Sequence, residues 1–338
     1  MLLVLWGVIT TVFFLFNVLP GDPARLTLGQ RSDLATAEAV RKELHLDEPL
    51  LARYGYYLAD LSPVAVHPNT SAAQEKYHYF RVLSLGEKAL VLKAPYLGTS
   101  YRTKRPVTQI LGEAFGGTLI LALSALAIAA VFGIGLGTLA AVRKGTWLDT
   151  GAVAASVAGI SLPSFFAGLL VAYVFGYLLQ PYTGLSMTGS LWEWDAFGGR
   201  HLALKNLILP AFALGIRPMA IITQLTRSAL LDSLSQDYIR TARAKGLREK
   251  RVIFRHALPN ALNPVLTALS GWLAELLAGS FFVEYVFGWK GIGKLTVDAL
   301  DKFDFPVVMG AVLFTAVIFL VVQFATDTLY KKLDPRVE

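Results

Sequence analysis

Long apolar runs separated by short polar connections set the pattern of this chain. The runs occupy residues 1–19, 115–142, 151–179, 204–226, 260–282 and 305–326. A helix needs about twenty apolar residues, at 1.5 Å each, to cross a hydrocarbon layer of roughly 30 Å. The stretches 115–142 and 151–180 exceed that length without one charged side chain. This pattern predicts an all-α, polytopic membrane protein with about six transmembrane helices.

The runs divide the chain into a first transmembrane helix at 1–20, an extracytoplasmic segment at 21–108, a five-helix membrane block at 109–330 and a cytoplasmic tail at 331–338. The first run ends at Pro20-Gly21-Asp22-Pro23. It lacks a basic leader and a small-x-small cleavage site, so it reads as a span and not as a signal peptide. Residues 38–58 read as a helix, a break at Pro49 and a second helix. Gly133 and Gly137 form a GxxxG pattern, with Gly135 between them, that permits close helix approach. Ser161-Leu162-Pro163-Ser164 predicts a kink inside the third run. Trp192 and Trp194 suit a membrane interface.

Apart from Lys205 at the edge of the fourth run, two charges fall deep inside apolar runs: Arg217, followed by Pro218, in the fourth and Glu275 in the fifth. A charge at that depth costs a few kcal/mol, so each must face protein or a water-filled cavity. The two read either as a buried pair holding the bundle or as polar lining of a translocation path.

The most informative polar connection is the loop 227–259. Leu234, Tyr238 and Ala242 recur every four residues and place an apolar stripe on a short helix that carries Arg240, Arg243 and Lys245 on other faces. Gly246 is expected to end that helix by taking positive φ. Val252, Ile253, His256 and Ala257 predict a second, basic helix stopped at Pro259. An apolar stripe on a water-facing helix asks for a partner.

Charge orients the spans. The chain has 31 Lys and Arg against 24 Asp and Glu, a formal net charge of +7. Residues 227–258 carry eight basic and three acidic side chains, and Arg143-Lys144 and Lys331-Lys332 lie on the same side of a six-span arrangement. That side is expected to be cytoplasmic, with both termini. The basic residues flank spans, where anionic headgroups attract them, so they point to lipid and not to nucleic acid. The absence of cysteine excludes disulfides and thiolate metal sites.

Two motifs invite chemistry and fail to support it. Gly288-Trp-Lys-Gly-Ile-Gly293-Lys294 begins like a phosphate-binding loop, but Leu295 stands where a Ser or Thr must hold Mg²⁺. Ser161 sits at membrane depth like a protease nucleophile, yet all five histidines (45, 67, 78, 201, 256) are expected in loops, away from it. No His, Cys or acidic spacing suggests a metal.

The loop also carries a resemblance. Gly246 lies six residues after Arg240 and thirteen before Pro259, with Leu258 just ahead of the proline. This spacing resembles the EAA loop of ABC-transporter permeases, and DYIRTARAKGL with HALPNAL resembles the oligopeptide/dipeptide/nickel branch. At the Glu-Ala-Ala positions stand Arg240, Thr241 and Ala242, of which only the last matches. The opening LLVLWGVITTVFFLFNVLPGDPA, the segment EAVRKELHLDEPLLARYGYYL with His45 in place of glycine, residues 96–101 and 105–107, and FFVEYVFGWKGIGKL with Lys290 in place of proline extend the likeness. It lapses at 61–93, which reads as a lineage-specific insertion. Members carry a basic segment before the first span that is absent here, which implies a shortened start.

The resemblance implies a transport subunit of a bacterial inner membrane, not an enzyme. It implies that Asp237, Tyr238, Arg240, Thr241, Ala242, Arg243, Ala244, Lys245, Gly246, Leu258 and Pro259 couple to ATPases. Implied partners are a second, similar permease, two cytoplasmic ATPases that use ATP and Mg, an extracytoplasmic solute-binding protein and the bilayer; the chain itself binds no cofactor. Peptide is the implied cargo, with nickel and oligosaccharide open. A secondary transporter or channel is the rival reading and would call for an intramembrane acid/His relay or inverted repeats. An intramembrane protease is the weakest.

Overall fold

A computed structural model describes residues 1–18, 47–195 and 199–333. The Pro20–Pro23 boundary, residues 38–46 of the expected external helix with His45, and residues 334–338 of the tail lie outside the described residues. The chain divides into two compact units: Met1–Glu113 with Thr296–Ala316, and Ala114–Leu295 with Val317–Glu338.

In the first unit, helix Leu2–Val18 carries Phe13 against Tyr54 and Tyr57 of helix Leu50–Leu61. The chain then builds three antiparallel strands, Val64–Pro68, Phe80–Leu85 and Lys88–Leu92, with the last in the centre. The region read as an insertion therefore has a fold of its own. Alternation explains it: Ala65, His67, Ala89 and Val91 point inward, and their neighbours along the strands point out. Helix Ser71–Tyr77 closes the inner face, its start capped by Thr70, which accepts from the Ala73 N–H. His67 stacks on Tyr77 with ring centroids 4.1 Å apart, so this histidine lies buried on a strand and not in the loop expected for it. Elsewhere in the unit, Asp304 is buried and accepts from Ser100 Oγ at 2.5 Å and the Tyr101 N–H at 3.0 Å.

The second unit is a helical bundle arranged around Lys205–Leu234, which packs on Trp147–Ser161, Ser164–Tyr173 and Leu258–Gly279. Small residues set the spacing. A Cβ on Gly137 would lie 2.5 Å from Thr223 O, and one on Gly133 would lie 2.8 Å from Ile222, whereas Gly135 faces open space. The GxxxG pattern of helix Val107–Val142 thus seats its backbone against the central helix.

The expected kink is a full break. Helices Trp147–Ser161 and Ser164–Leu178 diverge by 110°. Leu162 is extended at φ −76° and ψ 128° because the ring of Pro163 disfavours helix in the residue before it. Four helices among the described residues are long and apolar enough to cross a membrane, or five if the broken pair is one span. Helix Leu2–Val18, at 17 residues, is shorter than these, so the expected six are not reached by length and composition. A further departure from an all-helical chain is a hairpin of Trp192–Asp195 with Gly199–Leu202.

Candidate functional site

The loop 227–259 folds as a knuckle on the second unit. Helix Asp237–Ala244 begins with Asp237 in its first turn, where a negative charge favours the helix N-terminus. Gly246 takes φ +75°, as expected of a residue ending a helix. Across this joint Arg243 grips Glu249, with Nη2 to Oε1 at 2.6 Å and Nε to Oε2 at 3.2 Å. Arg240 pairs with Asp237 at 3.2 Å in full exposure, and Thr241 Oγ1 donates to Asp237 O. Ala244 and Lys245 face outward.

The buried stripe differs from the expected one. Ile239 and Ala242, not Tyr238, form the inner face, together with Leu230, Val252, Ala257, Ala261 and Ala141. Leu234, Leu247 and Leu258 pack at the edge. Burying Ile239 and Val252 in full contributes about 1.5–3 kcal/mol each. The apolar stripe expected to need a partner has one within the chain. Tyr238 acts as a polar tie: Asn260 Nδ2 donates to its hydroxyl at 3.1 Å, and Ser233 Oγ spends its own proton on Ala257 O at 3.0 Å. The 2.6 Å contact between Tyr238 and Ser233 therefore has the tyrosine as donor.

Pro259 does not stop the second helix. Glu249–Arg251 runs through a π turn, Val252–Ala257, into Leu258–Gly279. In the wide turn the Leu258 N–H reaches back to Ile253 O, five residues earlier, which shifts the ladder just before the residue that cannot donate. His256 consequently lies in a helix. Phe254, 61% exposed, projects from the turn, a feature that the basic composition of the loop obscured.

Arg217 and Glu275 approach to 3.9 Å with both side chains more than half exposed, and Arg217 lies 5.8 Å from the Trp272 ring centre. The buried-pair reading does not describe them. A different pair does clamp the bundle: Arg227 holds Asp149 at 2.5 and 2.8 Å, and the Gly145 N–H adds a third bond to that carboxylate. Asp149 stands two residues ahead of a charge-free run, and its isolation was the signal available in the sequence.

The glycine-rich stretch 288–294 closes around a carboxyl group of the chain itself, that of Glu284. Glu284 is fully buried and accepts from Thr118 Oγ1 at 2.8 Å, Ser280 Oγ at 2.7 Å and the Lys294 N–H at 3.1 Å. A Cβ on Gly291 would lie 2.4 Å from this carboxylate, and one on Gly293 2.4 Å from Phe281 Cα. Burial pushes the Glu284 carboxyl above its ordinary range, against the opposing hydrogen bonds of Ser280, Thr118, Lys294 and Gly293. Ser161 Oγ donates to Val157 O at 2.9 Å, a local helix bond. Among the described residues no cluster of His, Asp or Glu could hold a metal.

Residues 133–338 match the family described as binding-protein-dependent transport system inner membrane component, and residues 1–122 match its N-terminal region. Similar curated proteins include the di/tripeptide transport system permease protein DppB of Pseudomonas aeruginosa, 35% identical over 98% of this chain and 94% of that one. The probable D,D-dipeptide transport system permease protein DdpB of Escherichia coli is 37% identical over 100% and 94%. The glutathione transport system permease protein GsiC of Pectobacterium atrosepticum is 34% identical over 98% and 93%. Among solved structures, the methionine ABC transporter MetNI shares the fold at a TM-score of 0.52 and 17% identity, over 67% of this chain and 97% of that one.

Proposed function

Because the chain belongs to the family of inner-membrane components of binding-protein-dependent transport systems, we propose that it forms half of the translocation path of an ATP-driven peptide importer. Its similar proteins are transport permeases and not enzymes, and the family works with ATPase and binding-protein partners. The finer assignment is a second, similar permease beside this chain, two cytoplasmic ATPases that supply ATP and Mg, and both termini in the cytosol. Peptide is the cargo supported by relatives named for dipeptides, di/tripeptides and glutathione.

One observation carries the mechanical part. The knuckle 237–257 seals its apolar side onto the ends of the 205–234 and 258–279 helices, and turns Arg240, Arg243, Lys245 and Phe254 outward. A surface built in this way transmits force, because packed cores shift as units and do not deform continuously. Closure of the ATPases displaces the knuckle, and the attached helices change the access of the path. Arg217 and Glu275 line that path as an exposed cation and anion, suited to the two ends of a zwitterionic peptide.

The test is reconstitution with the partner subunits. ATP-dependent peptide uptake is expected, together with co-purification of an ATPase that is weakened by Phe254→Ala and by Arg240→Glu. Uptake driven by an ion gradient in vesicles free of ATP would overturn the assignment in favour of a secondary transporter.

A further inference from the structure

A groove beside the 142–147 connection has the character of a lipid site. It encloses about 290 Å³ between the end of the 107–142 helix, the 147–161 helix and the central 205–234 helix. Leu136, Leu139, Trp147 and Leu148 wall it, Ile216 and Met219 back it, and none of its lining residues is charged. Along the 147–161 helix it extends from Trp147 to Gly159, roughly 18 Å at 1.5 Å per residue, a length suited to an extended hydrocarbon tail.

The mouth has a different chemistry. Arg143 and Lys144, both exposed, occupy the connection immediately before Trp147, which is 80% exposed. The nearby Asp149 has its carboxylate engaged by Arg227 and the Gly145 N–H. An apolar slot thus has an aromatic end at Trp147, with two exposed cations close by in the chain. Indole rings favour the headgroup level, and basic side chains there attract anionic lipid.

We propose that this groove binds an anionic phospholipid, one acyl chain lying against Leu136, Leu139 and Leu148 and the phosphate resting on Arg143 and Lys144. The occupant is a membrane lipid and not a free anion, because the apolar length of the slot would go unused by phosphate alone. A zwitterionic lipid fits the slot but gains less at the rim, so headgroup charge is the selective element.

The experiment uses the full chain with its partner subunits in nanodiscs, titrated with phosphatidylglycerol or phosphatidylcholine brominated on the acyl chains. Bromine quenches indole fluorescence on contact, and the difference between wild type and Trp147→Phe isolates Trp147. Brominated phosphatidylglycerol is expected to quench it at a mole fraction about tenfold below that needed for phosphatidylcholine. Arg143→Ala with Lys144→Ala should abolish the preference and keep the quenching. Equal quenching by both lipids in wild type overturns the proposal, because it is the mark of unselective surrounding lipid. Absence of quenching by either also overturns it, since protein then covers the groove. Uptake is not the readout, so failure of the importer reading and failure of this one are separable.

Discussion

Thr118 and Glu284 meet 166 positions apart in sequence, with no solvent around either: the threonine hydroxyl donates to Oε1 at 2.8 Å and accepts from the Ile292 N–H at 2.8 Å. One hydroxyl thus ties a buried carboxylate, a membrane helix and the 280–294 loop together. Thr118→Val keeps the shape but orphans an N–H and removes a donor, so it should cost about 1–3 kcal/mol. Thermal unfolding in detergent checks this, and an unchanged midpoint would contradict the network.

The same carboxyl makes stability depend on pH. Its folded pKa is raised, chiefly by burial, so the folded state holds the proton more tightly than the unfolded one. Its contribution is full below the unfolded carboxyl range and is lost as pH rises through the raised value. The melting midpoint of wild type relative to Glu284→Gln should therefore fall as pH is raised through that window. A difference independent of pH would show that the carboxyl does not titrate differently on folding.

Close packing at the central helix gives a positional test. Gly137→Ala drives a methyl against Thr223 O and should cost about 1–3 kcal/mol by overpacking. Gly135→Ala, two residues away and facing open space, should be neutral or stabilising by about 0.5–1 kcal/mol. Equal effects at the two sites would refute the seating of this helix.

The Arg243–Glu249 pair is exposed, so it should matter more for the shape of the knuckle than for stability. Arg243→Glu should change the unfolding free energy by no more than about 1 kcal/mol while weakening ATPase co-purification. Adding Glu249→Arg should restore association. If the double reversal binds no better than the single, the cation itself and not the clasp is recognised.

Arg217 provides the transport prediction. Arg217→Leu leaves packing nearly untouched because the side chain is half exposed, and it removes one charge-assisted contact to a passing carboxylate. Peptide uptake should fall about tenfold with insertion and ATPase association unchanged, the size expected for one such bond. Unaltered uptake in vesicles would remove Arg217 from the path.

Apolar run length made the helices legible, and turn chemistry made Gly246 and the break at Pro163 legible too. Both signals are local, and local geometry decides them. Which side of the 237–244 helix is buried was not legible, because Tyr238 and Ile239 are both apolar enough and only the position of Leu230 and Val252 selects Ile239. The continuity past Pro259 was hidden for a related reason: proline forbids an α-helical donor, but a π turn moves the requirement elsewhere. Glu284 went unread because the glycines at 288, 291 and 293 suggested an external anion, and nothing in the order of residues shows that the group enclosed is a carboxyl supplied from four positions upstream. The strands at 64–92 alternate clearly, but the likeness to known permeases lapses there.

The uninterrupted run from Glu249 to Gly279 has a geometric corollary. Thirty-one residues at about 1.5 Å make a helical run of about 46 Å, which passes through the π turn at 252–257 and through Pro264 without leaving the helix. A tilt of a few degrees imposed beside Phe254 reappears at the opposite tip as a swing of several ångströms, comparable to the width of a peptide backbone. Gearing of that kind needs no large excursion from the motor.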